Sequence, residues 1–278
     1  MTSPWIRARI HVPAACLYIL LGATAWSQSA DTAGTPPAFL GVSLGASDFH
    51  VKDRYLSPFT YRGLLFASRL TCELPAVGAL HSIEAAYATG SPASTLQTRE
   101  LTEKIGEFSY TLRYNITGWT IGGRSLLLSA GGGLSSFVAN TDFDTHDSFG
   151  VLYHDQSWYW AHSLNAAARL EYSAWEGGAF TLDLTAPLFS LVSRPGNGHW
   201  MSNDNIRVGQ NFLRAALNGQ AVYPWDTFPV FARLSLRERV GDHVALRGSY
   251  RFNYASADAP VPMGMYANTF LAGMDWVF

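Results

Sequence analysis

The chain has 278 residues, 48% of them apolar and 14% charged, against roughly a quarter charged in ordinary soluble domains. Its mean hydropathy is +0.04, and its 14% aromatic content excludes a disordered chain, while the lack of repeated apolar blocks of about 20 residues excludes a polytopic helical membrane protein. The formal charge of −2 points to neither a nucleic-acid partner nor an acidic ligand.

In chain order, residues 1–27 read as a cleaved secretory signal. Arg7, Arg9 and His11 come without an acid, the run VPAACLYILLGA follows, and the small residues Ala25 and Ser27 precede Gln28. The run is short for a membrane span. Cys16 lies inside it, with Pro13 where a lipoprotein signal needs an aliphatic residue. Cleavage leaves Cys72 as the only cysteine, so no intrachain disulfide can form. It also removes Arg7 and Arg9, leaving 17 basic against 21 acidic residues and a net charge of −4. Residues 28–37, ending DTAGTPP, read as a polar periplasmic leader.

From residue 38 to 278 the pattern has period two. In VALRGSYRFNY, Val244, Leu246, Gly248, Tyr250, Phe252 and Tyr254 take one face, while Arg247, Ser249, Arg251 and Asn253 take the other. Ten such segments emerge, about 38–49, 61–74, 79–89, 104–117, 124–138, 160–174, 179–191, 229–240, 243–255 and 266–278. They run 11 to 15 residues, longer than the five or six usual in globular sheets and enough to cross a bilayer at a tilt. The sixth sets Trp160, His162, Leu164, Ala166, Ala168, Leu170 and Tyr172 on its apolar face. Connections alternate between short turns and long loops, the longest at 139–159 and 192–228, as in transmembrane barrels with the short turns periplasmic. Tyr114, Trp119, Tyr172, Trp175, Trp276 and Phe278 cluster near the short turns, where headgroups would lie. The expected fold is all-β, a transmembrane antiparallel up-and-down β-barrel of about ten strands. A soluble sandwich or lipocalin-like barrel would turn these apolar faces inward and leave the charged face outside.

The chain ends ANTFLAGMDWVF, with Phe270, Ala272, Met274, Trp276 and Phe278 at every second position. This resembles the carboxy-terminal signature of Gram-negative outer-membrane β-barrel proteins. The resemblance implies recognition by the barrel assembly machinery, residence in the bacterial outer membrane and contact with its lipid.

Turning the polar faces inward sets Arg69, Arg113, Arg169, Arg233, Arg237, Arg239, Arg247 and Arg251 against Glu73, Glu84, Glu107, Glu171, Asp183 and Asp275. In a barrel of this size such groups either pair into a plug or form an arginine ladder for anions, and the plug is the favoured expectation. Gly131, Gly132 and Gly133 read as a bend in the fifth strand.

The loops hold the residues that could carry chemistry. Asp142, Asp144, His146, His154 and Asp155 are weak catalytic candidates, since carboxylates beside histidines can activate water. Omptin-type proteases are also ten-stranded barrels with Asp/His pairs at the rim, but no stretch here matches their motifs residue by residue. His199, Ser202, Asn203 and Asp204 likewise lack a group that would orient them for lipid hydrolysis. Residues 204–219 could form a short amphipathic helix capped by Asn203 or Asp204 and stopped at Gly219. No cofactor and no metal site are expected. The function expected is structural, adhesive or small-solute channel, possible surface ligands being met through the loops. The alternative is an outer-membrane hydrolase acting from the loops.

Overall fold

A computed structural model of the protein describes residues 37–54, 59–76, 78–94, 101–146, 152–194, 220–222, 230–257 and 262–278. The signal, the leader up to Pro36 and the predicted 204–219 helix lie outside these residues. The strands are β1 (Phe39–Asp53), β2 (Tyr61–Ala76), β3 (Ala79–Gly90), β4 (Leu101–Ile121), β5 (Arg124–His146), β6 (Leu152–Trp175), β7 (Gly178–Ser193), β8 (Gln220–Val222), β9 (Val230–Arg239), β10 (Val244–Ala257) and β11 (Met263–Val277).

All neighbours pair antiparallel, and β11 pairs back onto β1 from Phe39↔Val277 to Asp53↔Met263. The sheet therefore closes into a barrel of ten strands. The eleventh, β8, covers only Ser190–Val192 of β7, above the stretch Gly178–Thr185 that β9 covers. Closure removes the free edges that an open sheet this long would present.

Short turns gather at one end. Gly78, Gly122, Gly123 and Gly177 take positive φ there, between 59° and 82°, a backbone region costly for residues with a Cβ. Gly131 and Gly133 have a different cause: a Cβ at either would meet a β4 carbonyl oxygen, of Leu112 at 1.9 Å or Tyr110 at 2.1 Å. The glycines let β5 lie close against β4 at this point.

β5 and β6 are much longer than their predicted counterparts. They carry 23 and 24 residues and stay in register to His146↔Leu152, so most of segment 139–159 is strand. The mid-wall outer face is apolar, with Leu64 72%, Phe108 52%, Leu134 60% and Phe270 62% exposed. One predicted outward residue departs from this pattern. Trp160 shares the face of His162 and Leu164, yet it is fully buried and donates to Asn140 Oδ1 at 3.1 Å. It is therefore a packed residue, not part of the exposed apolar wall.

Strand ends are nearly flush around the short-turn rim except at one seam. Ala79 at the foot of β3 pairs with Tyr114, while β4 runs on to Ile121, seven residues further. A closed barrel must accumulate register stagger around its circumference, and most of it is taken here.

Candidate functional site

The charged interior is built by alternation: each inward position on a strand is two residues from the next, so eight strands contribute guanidinium and carboxylate groups to one lumen. Written toward the short-turn end, a continuous chain of ion pairs runs Glu107, Arg251, Glu84, Arg233, Asp183, Arg169, Glu73, Arg237, Asp275. Arg251 lies 3.3 Å from Glu84 and also binds Glu107. Arg233 joins Glu84 to Asp183, the latter at 2.8 Å. Arg169 links Asp183 and Glu73, both at 2.7 Å. Arg237 then spans Glu73 at 2.8 Å and Asp275 at 2.7 Å, with its guanidinium 3.9 Å from the centre of the Phe39 ring.

Three more arginines dock on this chain: Arg69 on Glu84 at 3.2 Å, Arg113 on Asp183 at 2.8 Å and Arg247 on Asp275 at 2.7 Å. Hydroxyls take remaining donors. Arg113 donates to Ser82 at 2.6 Å and Arg247 to Thr71 at 2.9 Å. Arginine suits such sharing because its planar fork can hold two carboxylates at fixed angles.

Twelve of the fourteen residues expected to line the lumen thus form one network. The other two stand apart. Arg239, the last residue of β9, is exposed and donates to the Gly241 and Asp242 carbonyls of the following turn, because the alternation that points it inward ends at the rim, where water and turn carbonyls compete. Glu171 is half-buried two positions beyond Arg169 and joins no ion pair among the described residues.

Above the network the lumen changes character. Phe49, Val51, Tyr61, Leu65, Leu101, Phe137, Tyr159, Met263 and Met265 pack into a buried apolar cluster. Between the two layers lies a cavity of about 60 Å³, walled by Phe137, Tyr159 and Met265 over Arg69, Glu107 and Arg251. A second of the same size sits within the network beside Ser82, Ser109, Thr111 and Arg113. Each has room for a few waters, well below the volume of a drug-sized ligand site.

A polar cluster lies toward the long-connection end. Arg194 donates to Asp53 at 2.7 Å, and Ser157 donates to the same carboxylate at 3.1 Å. Nearby, Thr141 donates to Glu103 at 2.6 Å. At this level the outer face of the wall carries the ion pair Lys104–Asp142, so Glu103 lies beyond the apolar band. Burial pushes its carboxyl up to about 8, the charges of Asp53 and Asp142 adding to the effect and the Thr141 bond opposing it. Sequence reading missed Asp53, Glu103 and Arg194. The signal available was position alone, an inward acid continuing the alternation past the expected strand end.

Of the loop candidates, Asp142 alone has a described side chain. Asp142 is on the outer face, tied to Lys104. The backbone register sets Asp144 opposite His154, Phe143 opposite Asp155 and His146 opposite Leu152. The side chains of Asp144, His146, His154 and Asp155, and the whole of His199 to Asp204, lie outside the described residues. Among the described residues no group of three or more His, Cys, Asp or Glu is placed to hold a metal.

No protein-family model matches the chain, and no curated protein matches it. Solved structures of similar shape include the outer membrane protease OmpT from Escherichia coli, at 11% identity over 90% of this chain and 99% of that one with a TM-score of 0.45. The translocator domain of the autotransporter NalP from Neisseria meningitidis is similar at 11% identity over 96% and 98%, TM-score 0.45. The attachment invasion locus protein Ail of Yersinia pestis is similar at 11% over 87% and 99%, TM-score 0.31. Likenesses this distant carry no activity across to this chain.

Proposed function

We propose that the protein is a bacterial outer-membrane β-barrel whose lumen is sealed, and whose role is structural or adhesive, exercised through the long-connection end at the cell surface. One observation carries this reading: an apolar layer stacked on a continuous ion-pair network fills the interior from one mouth toward the other. Each layer alone would obstruct ions, the first by excluding water and the second by occupying the cross-section with side chains already paired.

The membrane assignment rests on the outer wall. Its mid-section is apolar, and Phe270, Met274, Trp276 and Phe278 of the final strand all face outward, as lipid contact and recognition by the barrel assembly machinery require. Short turns then face the periplasm. The channel reading would need a continuous polar path through the apolar layer, and the two cavities are too small to supply one.

Planar-bilayer recording tests the proposal. The refolded protein should give no unitary current steps, and neither should a variant in which residues 195–229 are replaced by a short linker. Reproducible steps from either would turn the reading to a channel.

A further inference from the structure

The outer wall carries its own depth scale. On β11, Trp276 lies at the short-turn end and Tyr266 about ten residues away, both facing outward. At about 3.3 Å per residue and a strand tilt of about 40°, the two rings stand about 25 Å apart along the barrel axis. That is the height of the apolar band on an outer-membrane barrel. Tyr254 pairs with Tyr266 across β10 and β11, and His50 of β1 stacks on Tyr266 with ring centroids 4.3 Å apart. These rings mark the upper edge of the band, where headgroups begin.

Cations gather at that edge on one side of the barrel. The register sets Arg62 of β2 directly opposite His50, and Lys52 takes the next outward position of β1. Lys52 is therefore the diagonal neighbour of Arg62, within reach of long side chains. Arg54 follows, its amide bonded to the Pro262 carbonyl at 3.2 Å. All three side chains are exposed, and none makes an ion pair with a described residue. The outer faces of β1, β2 and β11 carry one acid, Asp48, which is bonded to His50 at 3.2 Å on the side away from Lys52. Lys104 of β4 shows the other arrangement. It is outward at this end too, but Asp142 on the adjoining strand neutralises it at 2.5 Å. The positive charge on β1 and β2 has no such partner in the wall.

We infer that Lys52, Arg54 and Arg62 form a binding site for the phosphate of a lipid headgroup in the outer leaflet; the leaflet rests on the membrane orientation proposed above. Arg62 and Arg54 offer planar pairs of N–H donors and Lys52 a compact charge, a set matched to phosphate oxygens. Depth selects a lipid over a free ion. A phosphate tethered to acyl chains is held at this level of the wall, with its chains against the exposed Leu64 and Phe66 just below Arg62. A free ion would meet an exposed patch screened by salt.

Native mass spectrometry of the full-length protein in dodecyl maltoside, with diphosphorylated lipid A added, tests this. The protein should bind lipid A saturably, and lipid A stripped of its phosphates should bind more weakly by about tenfold or more. Lys52→Gln and Arg62→Gln together should cost a similar factor. Lys104→Gln, which removes an already partnered cation from the same end, should leave binding unchanged. Equal binding of the two lipids, an unaffected double variant, or an equal loss in Lys104→Gln would overturn the proposal. So would displacement of the lipid by millimolar inorganic phosphate, since that assigns the site to a free anion. Sidedness is read separately. In a Cys72→Ser background, Arg54→Cys should react with an impermeant maleimide in intact cells. Labelling only after the outer membrane is permeabilised would overturn the leaflet and the proposed orientation, while leaving phosphate binding by the purified protein as it stands.

Discussion

Asp183 is the residue on which the interior turns, since Arg113, Arg169 and Arg233 all bind its carboxylate. Removing one partner from a buried ionic group leaves the others uncompensated, at a cost of about 3 to 5 kcal/mol. Asp183→Ala should therefore lower stability to urea in lipid by that amount, and a loss under about 1 kcal/mol would show the network to be hydrated. Glu103 makes a different prediction. Its carboxyl is raised in the folded protein to about 8 from 4.5, so the folded state holds the proton more tightly than the unfolded one. Stability contributed by the protonated form is full below the unfolded value, falls as pH rises, and levels off above the folded value. Between about pH 5 and pH 7.5 the loss should be roughly 3 kcal/mol. Glu103→Gln should flatten that dependence, and an unchanged pH profile in the variant would remove Glu103 as its source. The two residues also differ in how visible they were in the sequence. Asp183 sits mid-strand in clear alternation. Glu103 follows a stretch where Thr102 and Lys104 make the outer face as polar as the inner one, so period two no longer marks a face.

The same contrast explains the elements. Strand centres are legible wherever lipid demands apolar residues on one side, and all ten predicted segments correspond to wall strands. Their long-connection ends are not, because NTDFDTH in β5 and LYHDQS in β6 are paired backbone carrying side chains without a lipid-facing pattern. The expected fourth strand stops at residue 117, so the rest of the β4 foot falls in what reads as a short turn, and the extension to Ile121 is a relation between strands that one segment cannot show. Depth along the wall is likewise readable only from the register. Leu234 lies mid-strand in β9, opposite Tyr250 and Leu182, whereas Leu246 is next to the short-turn rim, opposite Glu238. Leu234→Arg should cost about 2 to 4 kcal/mol in lipid and Leu246→Arg about 1 or less. Equal costs at the two depths, measured by urea titration in vesicles, would contradict the placement of the bilayer.

For the whole molecule, composition announces a wall and leaves the lumen open to two readings. Few charges and near-zero hydropathy follow from putting aliphatic and aromatic side chains outside, with much of the arginine inside. Whether the inward arginines line a path or close it depends on cross-strand distances, which no single segment contains. Residues from β1 through β11 meet in that interior: Arg69 and Ser249, for example, are 180 positions apart and come within 3.5 Å. The central claim is a barrel with lipid outside and packed side chains inside. Thiol accessibility in lipid vesicles tests both halves at once, using Leu234→Cys on the outer face and Ser249→Cys on the inner, each in a Cys72→Ser background. Leu234→Cys should react with a lipid-soluble maleimide and not a water-soluble one, and Ser249→Cys with neither. Reaction of Ser249→Cys with the water-soluble reagent would show an open lumen, and reaction of Leu234→Cys with it would show that the apolar wall does not face lipid.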